Sequence, residues 1–412
     1  MKKRVLIFSL AYYPLFTSGA ETAIKEITDR IDSTDIEFHM VTLRYDASLP
    51  TEEQMGNVLV HRMGITQNIK PTVEDLGKWP LDLNKPLYQF LGAWMAHTLH
   101  QKYKYDAIWA MMAHSTGVPA ALFKLFHKDV PYVLTLQEGD PPEYIEKTLR
   151  PLWPLFTRAF TQANVVQAIS EFLGAWARRR NFTGPLEIIH NGANPKDVHE
   201  TVLEEEVTKA KHAMNKRPGE IVLMNTARLV YQKGHDTVIQ ALKDLPQQVR
   251  LVLVGDGPEE ADLKKLAKEL GVADRVFFTG HVDRSRVTAY RKSADIFVGP
   301  SRSEGLGNAF LSAMASRLPV IATQEGGIAD FLFDAKRNPD KSTTGWAVDK
   351  DKPEQVVEAV QDILAHPEQA KKVADQAREM VLRSYEWGAI AKDMRERVFY
   401  PLWSQHEIIS IC

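Results

Sequence analysis

Between Ser301 and Asn308 the chain reads Ser301-Arg302-Ser303-Glu304-Gly305-Leu306-Gly307-Asn308, a carboxylate and two glycines followed by a helix-capping amide. Gly305 and Gly307 let the backbone come close to a ligand, and Asn308 is able to cap a helix that starts there. The first N–H groups of such a helix lack internal partners and suit an anion such as a phosphate. A carboxylate beside phosphates makes sense when it accepts hydrogen bonds from sugar hydroxyls. A helix N-terminus with an acidic residue complementing its dipole explains the local sequence equally well. A second set of groups lies upstream, where Arg228 and Lys233 share one loop. Two cations so spaced both reach a diphosphate, the arginine in bidentate fashion.

These residues need elements to hold them. Ile296-Phe297-Val298 reads as a buried parallel strand, Asn308 to Ser316 as a helix, and Leu318 to Ala322 as the next strand, before the turn Glu325-Gly326-Gly327. That strand–loop–helix–strand unit places its loops where α/β folds bind ligands. Ile221 to Asn225 is the strand feeding the Arg228–Lys233 loop, and His235 opens a helix. Leu251 to Val254 runs into Gly255-Asp256-Gly257-Pro258, and Val276 to Thr279 into Gly280-His281-Val282. The first half repeats the scheme. Val5 to Leu10 is a strand, Tyr13 to Gly19 a loop, and Ala20 onward has helical spacing through Ile24, Ile27 and Ile31. Strands are also expected at Phe38–Leu43, Val58–Met63, Ala107–Ala110, Tyr132–Leu136 and Val165–Ile169. Residues 65 to 90, with Pro71, Pro80 and Pro86, read as an irregular excursion before a helix from Tyr88 to His100. Surface helices are expected over 353–366 and 368–383.

At 412 residues the chain exceeds what one core usually covers. With 44% hydrophobic and 25% charged residues it has an ordinary globular composition. A formal net charge of −2 gives no electrostatic case for nucleic acid. The single cysteine, Cys412, rules out an internal disulfide framework and fits a reducing compartment. No Cys or His cluster has zinc spacing, and Asp349-Lys350-Asp351 reads as solvated loop. No apolar run reaches the roughly 18 residues needed to span a bilayer. Lys2-Lys3-Arg4 before Val5 to Ala11 imitates a signal peptide, but Tyr12-Tyr13-Pro14 interrupts the apolar run and the same stretch reads as a first strand; the expectation is cytoplasmic. Between Lys147 and Arg180 six basic residues face one acid, Glu171, with Leu152, Trp153, Leu155, Phe156 and Phe160 interleaved. Such a segment suits peripheral contact with an anionic leaflet; packing of its apolar residues on the domain is the alternative.

Ala294-Asp295-Ile296-Phe297-Val298-Gly299-Pro300-Ser301, then Glu304-Gly305-Leu306-Gly307 and Gly326-Gly327-Ile328, resemble the donor site of glycosyltransferase family 4, the retaining nucleotide-sugar glycosyltransferases of the GT-B fold. The resemblance covers nearly the whole chain and is most specific from 221 to 345. It implies an α/β protein of two Rossmann-like domains facing across a cleft. These would be an acceptor-side domain over 1–195, a donor domain over 196–385, and a C-terminal helix, 386–412, packing back on the first. It assigns Arg228, Lys233, Gly305, Leu306, Gly307 and Asn308 to the donor phosphates, with Gly19 of Ser18-Gly19-Ala20-Glu21 approaching the diphosphate. Glu304 would orient the donor sugar, His114 would line the acceptor side, and His281 and Val282 would meet the base. The family's second glutamate falls on Ser312, so a ribose contact there would rest on one hydroxyl. Gln137 stands where many relatives have histidine.

The expected activity is retaining transfer from a UDP- or GDP-linked sugar to a glycan or lipid-linked acceptor, with no cofactor and no metal. The expected location is the cytoplasm or the inner face of the membrane. Three readings stay open beside it: a degenerate or binding-only nucleotide-sugar protein because of Ser312, a nucleotide-sugar epimerase of the same fold, and a solute receptor.

Overall fold

Val5, Leu6, Ile7 and Phe8 are all fully buried, which is what a strand covered on both faces of a parallel sheet demands. In the computed structural model, which describes residues 2–15, 18–68, 70–72 and 75–409 (the side chains of 405–409 excepted), they form the inner part of β1 (Lys3–Phe8). Cys412 lies outside the described residues. The strands that follow are β2 (Ile36–Leu43), β3 (Glu52–Met55), β4 (Val58–Met63), β5 (Ala107–Met111), β6 (Tyr132–Leu136), β7 (Val165–Ala168) and β8 (Leu186–Ile188). They form one sheet in the order β3-β4-β2-β1-β5-β6-β7-β8. All neighbours are parallel except the β3–β4 hairpin.

A second sheet contains β9 (Ile221–Thr226), β10 (Val249–Val254), β11 (Val276–Phe278), β12 (Ile296–Gly299), β13 (Val320–Ala322) and β14 (Trp346–Ala347). Its order is β11-β10-β9-β12-β13-β14, parallel throughout. The strands alternate with helices in both halves, as right-handed crossovers between parallel strands require. Two units result: one comprises residues up to Asn191 together with those from Trp387 onward, the other Gly192–Glu386. The last helices, from Trp387, belong to the first unit. Trp387, Ile390, Met394, Val398, Phe399 and Leu402 sit in the same core as Val5, Ile7, Phe38 and Trp109. Arg397 reaches Glu187 at 2.6 Å and the Tyr400 hydroxyl donates to Asp35 at 2.7 Å.

Two local expectations are refined. The stretch from 65 to 90 is not irregular to its end: a helix begins at Asn84 and runs to Tyr103. Pro86 falls in its first turn, where a missing N–H costs nothing. The second unit opens on a single helical turn, Pro195–Val198, followed by a longer helix, Glu204–Ala213. The basic-aromatic stretch 147–180 turns its apolar side chains inward. Phe156 and Phe160 are fully buried, and Arg180 is buried over Trp153, its guanidinium 4.0 Å from the ring centre. Arg178 donates to the Phe182 and Gly184 carbonyls. Of the six basic residues, Arg180 is taken up by stacking and Arg178 by backbone carbonyls, while Lys147, Arg150, Arg158 and Arg179 stay exposed; of the five apolar residues Phe156 and Phe160 are buried and Trp153 is 37% exposed. Among the described residues no helix is long and apolar enough to cross a membrane.

Candidate active site

In the second sheet the strand order reverses between β9 and β12, and in open α/β sheets ligands bind outside the carboxyl ends at such a reversal. The loop after β9 carries Arg228 and Lys233; the loop after β12 carries Ser301 to Gly307. Lys233 Nζ and Glu304 Oε1 are 2.6 Å apart, bringing together residues 71 positions distant in sequence. The Ser301 hydroxyl donates to the same oxygen at 3.1 Å, and Thr323 holds Ser301 by donating to its carbonyl at 2.7 Å. Glu304 is 8% exposed. Arg228 is exposed and its guanidinium has no ion-pair partner among the described residues.

Close backbone approach sets the loops. A Cβ on Gly234 (φ +65°) would lie 2.2 Å from the Pro300 carbonyl oxygen, and one on Gly326 (φ +61°) 2.0 Å from that of Glu304. These glycines seat the two loops against each other and against Glu325–Asp330, where Gly327 N–H donates to the Glu304 carbonyl at 3.1 Å. The helix Asn308–Ala315 follows, but its cap is Gly307 (φ +99°) and Asn308 is its first residue. The backbone already turns left-handed at Gly307, so no amide side chain is needed to start the helix. Leu306 and Gly305 are buried, so a ligand would meet their backbone.

One residue that holds this arrangement has no mark in the sequence. Arg302 donates to Asp351 at 2.6 Å, to Asp236 at 2.7 Å and to the Tyr231 carbonyl at 2.7 Å, and lies over the Tyr231 ring at 4.1 Å. It thereby fastens the Lys233 loop and the Asp349–Asp351 turn to the Glu304 loop. Burial opposes its charge, yet the hydrogen bonds it donates to Asp236 and Asp351 outweigh burial and hold its pKa above the ordinary arginine value. Asp351 is therefore a clamp partner and not only solvated loop.

Ser312 is 5% exposed. Its hydroxyl donates to the Asn308 carbonyl at 2.8 Å and accepts from the Asn194 N–H at 3.0 Å. The group expected beside a ribose is thus bonded to the chain segment that opens the second unit. His281 and Val282 follow β11, two strands from β9; Gly280 there pairs with Gly255 in an isolated bridge.

The remaining candidates lie in the first unit, whose sheet reverses between β1 and β5. Gly19 opens the helix Gly19–Thr28 after β1, where Glu21 accepts from the Ser18 N–H at 2.7 Å. His114 follows β5 through Met112, a non-glycine residue at φ +70°, a conformation that costs about 1–3 kcal/mol and clusters at functional turns. His114 Nε2 lies 2.8 Å from the Ser115 hydroxyl. Its Nδ1 is 3.5 Å from Glu138 Oε1, an oxygen that also accepts from the His114 N–H. Glu138 is 1% exposed and accepts from the Gln137 N–H at 2.9 Å. Gln137 in turn exchanges side-chain hydrogen bonds with Asn191. The sequence hid the role of Glu138, because nothing local says that it faces a histidine 24 positions away. Among the described residues no group of three or more His, Cys, Asp or Glu is placed to hold a metal ion.

Two α/β units, their sheets parallel but for one hairpin and with polar loops at both strand-order reversals, are the architecture of the GT-B fold. Residues 17–197 match the family described as Glycosyltransferase Family 4, and residues 206–380 match Glycosyl transferases group 1; the chain belongs to glycosyltransferase family 4. Over 198 residues, 46% of this chain, it is 34% identical to a GDP-mannose-dependent alpha-(1-6)-phosphatidylinositol monomannoside mannosyltransferase of Mycobacterium tuberculosis, spanning about half (49%) of that protein's length. It is 36% identical over 124 residues, 29% of this chain and 28% of the relative, to the alpha-monoglucosyldiacylglycerol synthase of Streptococcus pneumoniae. Among solved structures, sucrose-phosphate synthase from Thermosynechococcus elongatus superposes with a TM-score of 0.79 at 22% identity, covering 98% of this chain and 100% of that one. Anabaena HepE in complex with UDP and glucose gives 0.73 at 19%, covering 96% and 99%.

Proposed function

We propose that the protein transfers a sugar from a UDP- or GDP-linked donor to the hydroxyl of a glycan or lipid-linked acceptor, with retention at the anomeric carbon. The observation that carries this reading is the Lys233–Glu304 pair beside the unpartnered Arg228 at the strand-order reversal. An ammonium has three N–H bonds. One points at Glu304, leaving two for a diphosphate, and Arg228 supplies a bidentate fork for the same charge. As the bond from the anomeric carbon to the phosphate oxygen breaks, both cations and the amides of Gly305 to Asn308 stabilise the departing diphosphate. Glu304 accepts from the sugar hydroxyls. The acceptor oxygen bonds to the anomeric carbon on the face being vacated, and its proton passes to the leaving phosphate oxygen. His281 and Val282 meet the base, Gly19 the diphosphate, and His114, held by Glu138, the acceptor.

The relatives named above support the donor and acceptor classes: one is named for GDP-mannose and a phosphatidylinositol mannoside, another for a glucosyl lipid, and HepE was crystallised with UDP. The two cations neutralise a diphosphate without a metal. The test is thermal stabilisation and donor turnover with UDP-, GDP- and ADP-sugars, with a diacylglycerol-linked acceptor present or absent and with EDTA throughout. Stabilisation by a nucleotide sugar and sugar transfer to the acceptor are expected. Stabilisation without transfer to any acceptor supports the binding-only reading; release of free nucleotide and altered sugar supports the epimerase.

A further inference from the structure

From Leu87 to Trp94 the helix Asn84–Tyr103 is apolar on both faces. Tyr88, Gly92, Ala93, Ala96 and Leu99 point inward and are buried, as a core-facing helix requires. The outward positions of its first half follow the same 3.6-residue period, yet they are Leu83, Leu87, Phe90, Leu91 and Trp94, all exposed, before the polar Thr98, Gln101 and Lys102; Trp79, five residues before the helix, is exposed too. Phe90 is 54% exposed, Trp94 67% and Trp79 79%. A helix apolar all round is ordinarily covered on all sides, and large side chains in a contiguous row mark an interaction surface. From Leu83 to Trp94 the row spans about 16 Å at the helical rise.

Charge selects the occupant. From Asp75 to Asp106 the charged residues are Lys78, Lys85, Lys102 and Lys104 against Asp75, Asp82 and Asp106, with Lys78 paired to Asp75 at 2.9 Å. Lys85, Lys102 and Lys104 are exposed. Lysines therefore bracket the apolar row at both ends, with no acid on the helix itself. A second copy of the chain docking through an antiparallel two-fold contact would set the Lys85 end against the Lys102 end, lysine facing lysine. An anionic bilayer meets both demands: Trp and Phe belong at the boundary between headgroups and acyl chains, and lysines beside them pair with lipid phosphate.

We infer that the outward face of the helix Asn84–Tyr103, with Trp79, is the surface by which the protein lies on an anionic membrane. The helix rests in the interface plane, and the segment 147–180 is not the docking element. The inference extends the lipid-linked acceptor reading, but its test uses neither donor nor acceptor, so its failure leaves donor binding untouched.

The test is co-sedimentation of the full chain with vesicles of phosphatidylcholine alone or with about a third phosphatidylglycerol, alongside sedimentation velocity without lipid. Wild type is expected in the pellet with anionic vesicles and in the supernatant with neutral ones, in a salt-sensitive manner. Phe90→Ser/Trp94→Ser should lower the bound fraction at least tenfold, and Lys85→Glu/Lys102→Glu severalfold. Arg178→Glu/Arg179→Glu should bind like wild type. All substituted side chains are exposed, and circular dichroism verifies the fold. Wild type left in the supernatant with both vesicles overturns the inference. So does equal binding by Phe90→Ser/Trp94→Ser, or loss of binding only in the Arg178/Arg179 variant. A lipid-free dimer that Phe90→Ser/Trp94→Ser dissolves overturns it in favour of self-association.

Discussion

Lys233→Ala and Arg228→Ala should both weaken nucleoside diphosphate binding but differ in their effect on stability. Lys233 is bonded to Glu304 at 2.6 Å. Its removal leaves a carboxylate that is 8% exposed with the Ser301 hydroxyl as its remaining side-chain donor. Stranding a mostly buried acceptor costs about 1–3 kcal/mol, and in a domain of this size each kcal/mol moves the melting temperature by about 2–4 °C. The second unit of Lys233→Ala should therefore melt roughly 2–12 °C lower. Arg228 is exposed and unpaired, so Arg228→Ala should change stability by less than about 0.5 kcal/mol. For binding the two converge. Each loses charge-assisted hydrogen bonds worth about 1.5–3 kcal/mol, raising Kd for UDP or GDP about ten- to a hundredfold. Isothermal calorimetry and scanning calorimetry on both variants separate the two quantities. In the double variant Lys233→Ala/Glu304→Gln, where no charge is stranded, most of the lost melting temperature should return. An unchanged Kd for both nucleotides in both single variants would refute the phosphate assignment. A Lys233→Ala protein that melts at the wild-type temperature would refute the pairing argument.

Three further outcomes are expected. Ser312→Ala strands the buried Asn194 N–H and should cost about 1–3 kcal/mol of stability with nucleotide affinity nearly unchanged; a tenfold weaker Kd at wild-type stability would instead establish the hydroxyl as a ribose contact. Arg302→Ala should raise the donor KM and destabilise the second unit by about 1–3 kcal/mol, allowing for solvent screening of the more exposed Asp351. Arg302→Lys should recover only part of either effect because an ammonium cannot fork, and full recovery would exclude the geometric role. Burial pushes His100 and His235 down to about 4, and neighbouring cations add to it. Their folded pKa lies below the unfolded value near 6.5, so as pH falls from 6.5 toward 4 the unfolded chain binds protons the folded chain refuses. Stability should fall over that window by up to about 1.4 kcal/mol per histidine per pH unit. A urea midpoint flat from pH 6.5 to 5 would contradict this.

Much of the donor site was legible because each of its loops follows a strand that announces itself. Val222 to Asn225 and Ile296 to Val298 are buried on both faces, and glycines that must avoid a neighbouring carbonyl mark the turns after them. What could not be read are contacts made across the fold. Arg302 meets Asp236 and Asp351, 66 and 49 positions away, and a lone arginine in a loop gives no hint of either. Composition also hid which way side chains point. The aromatics among the arginines of 147–180 look like a lipid-facing surface until Arg180 is seen to stack on them, whereas the apolar outer face of Asn84–Tyr103 was masked by the prolines around its start. The Ser312 substitution was visible, but not that Asn194 would occupy its hydroxyl.

The last helices of the chain have a consequence for the order in which the protein can be made. Trp387, Ile390, Met394, Val398, Phe399 and Leu402 complete the core built on Val5 and Ile7, so the first unit lacks part of its interior until residues 387–402 leave the ribosome. By then the second unit, Gly192–Glu386, is entire, and its two ends are joined at the Ala193 N–H, which donates to the Tyr385 carbonyl at 3.0 Å. Domains of a nascent chain ordinarily finish folding from the N-terminus onward. Here the connectivity runs the other way: the inserted unit is complete in sequence before the residues that finish the N-terminal core, so it is able to close first.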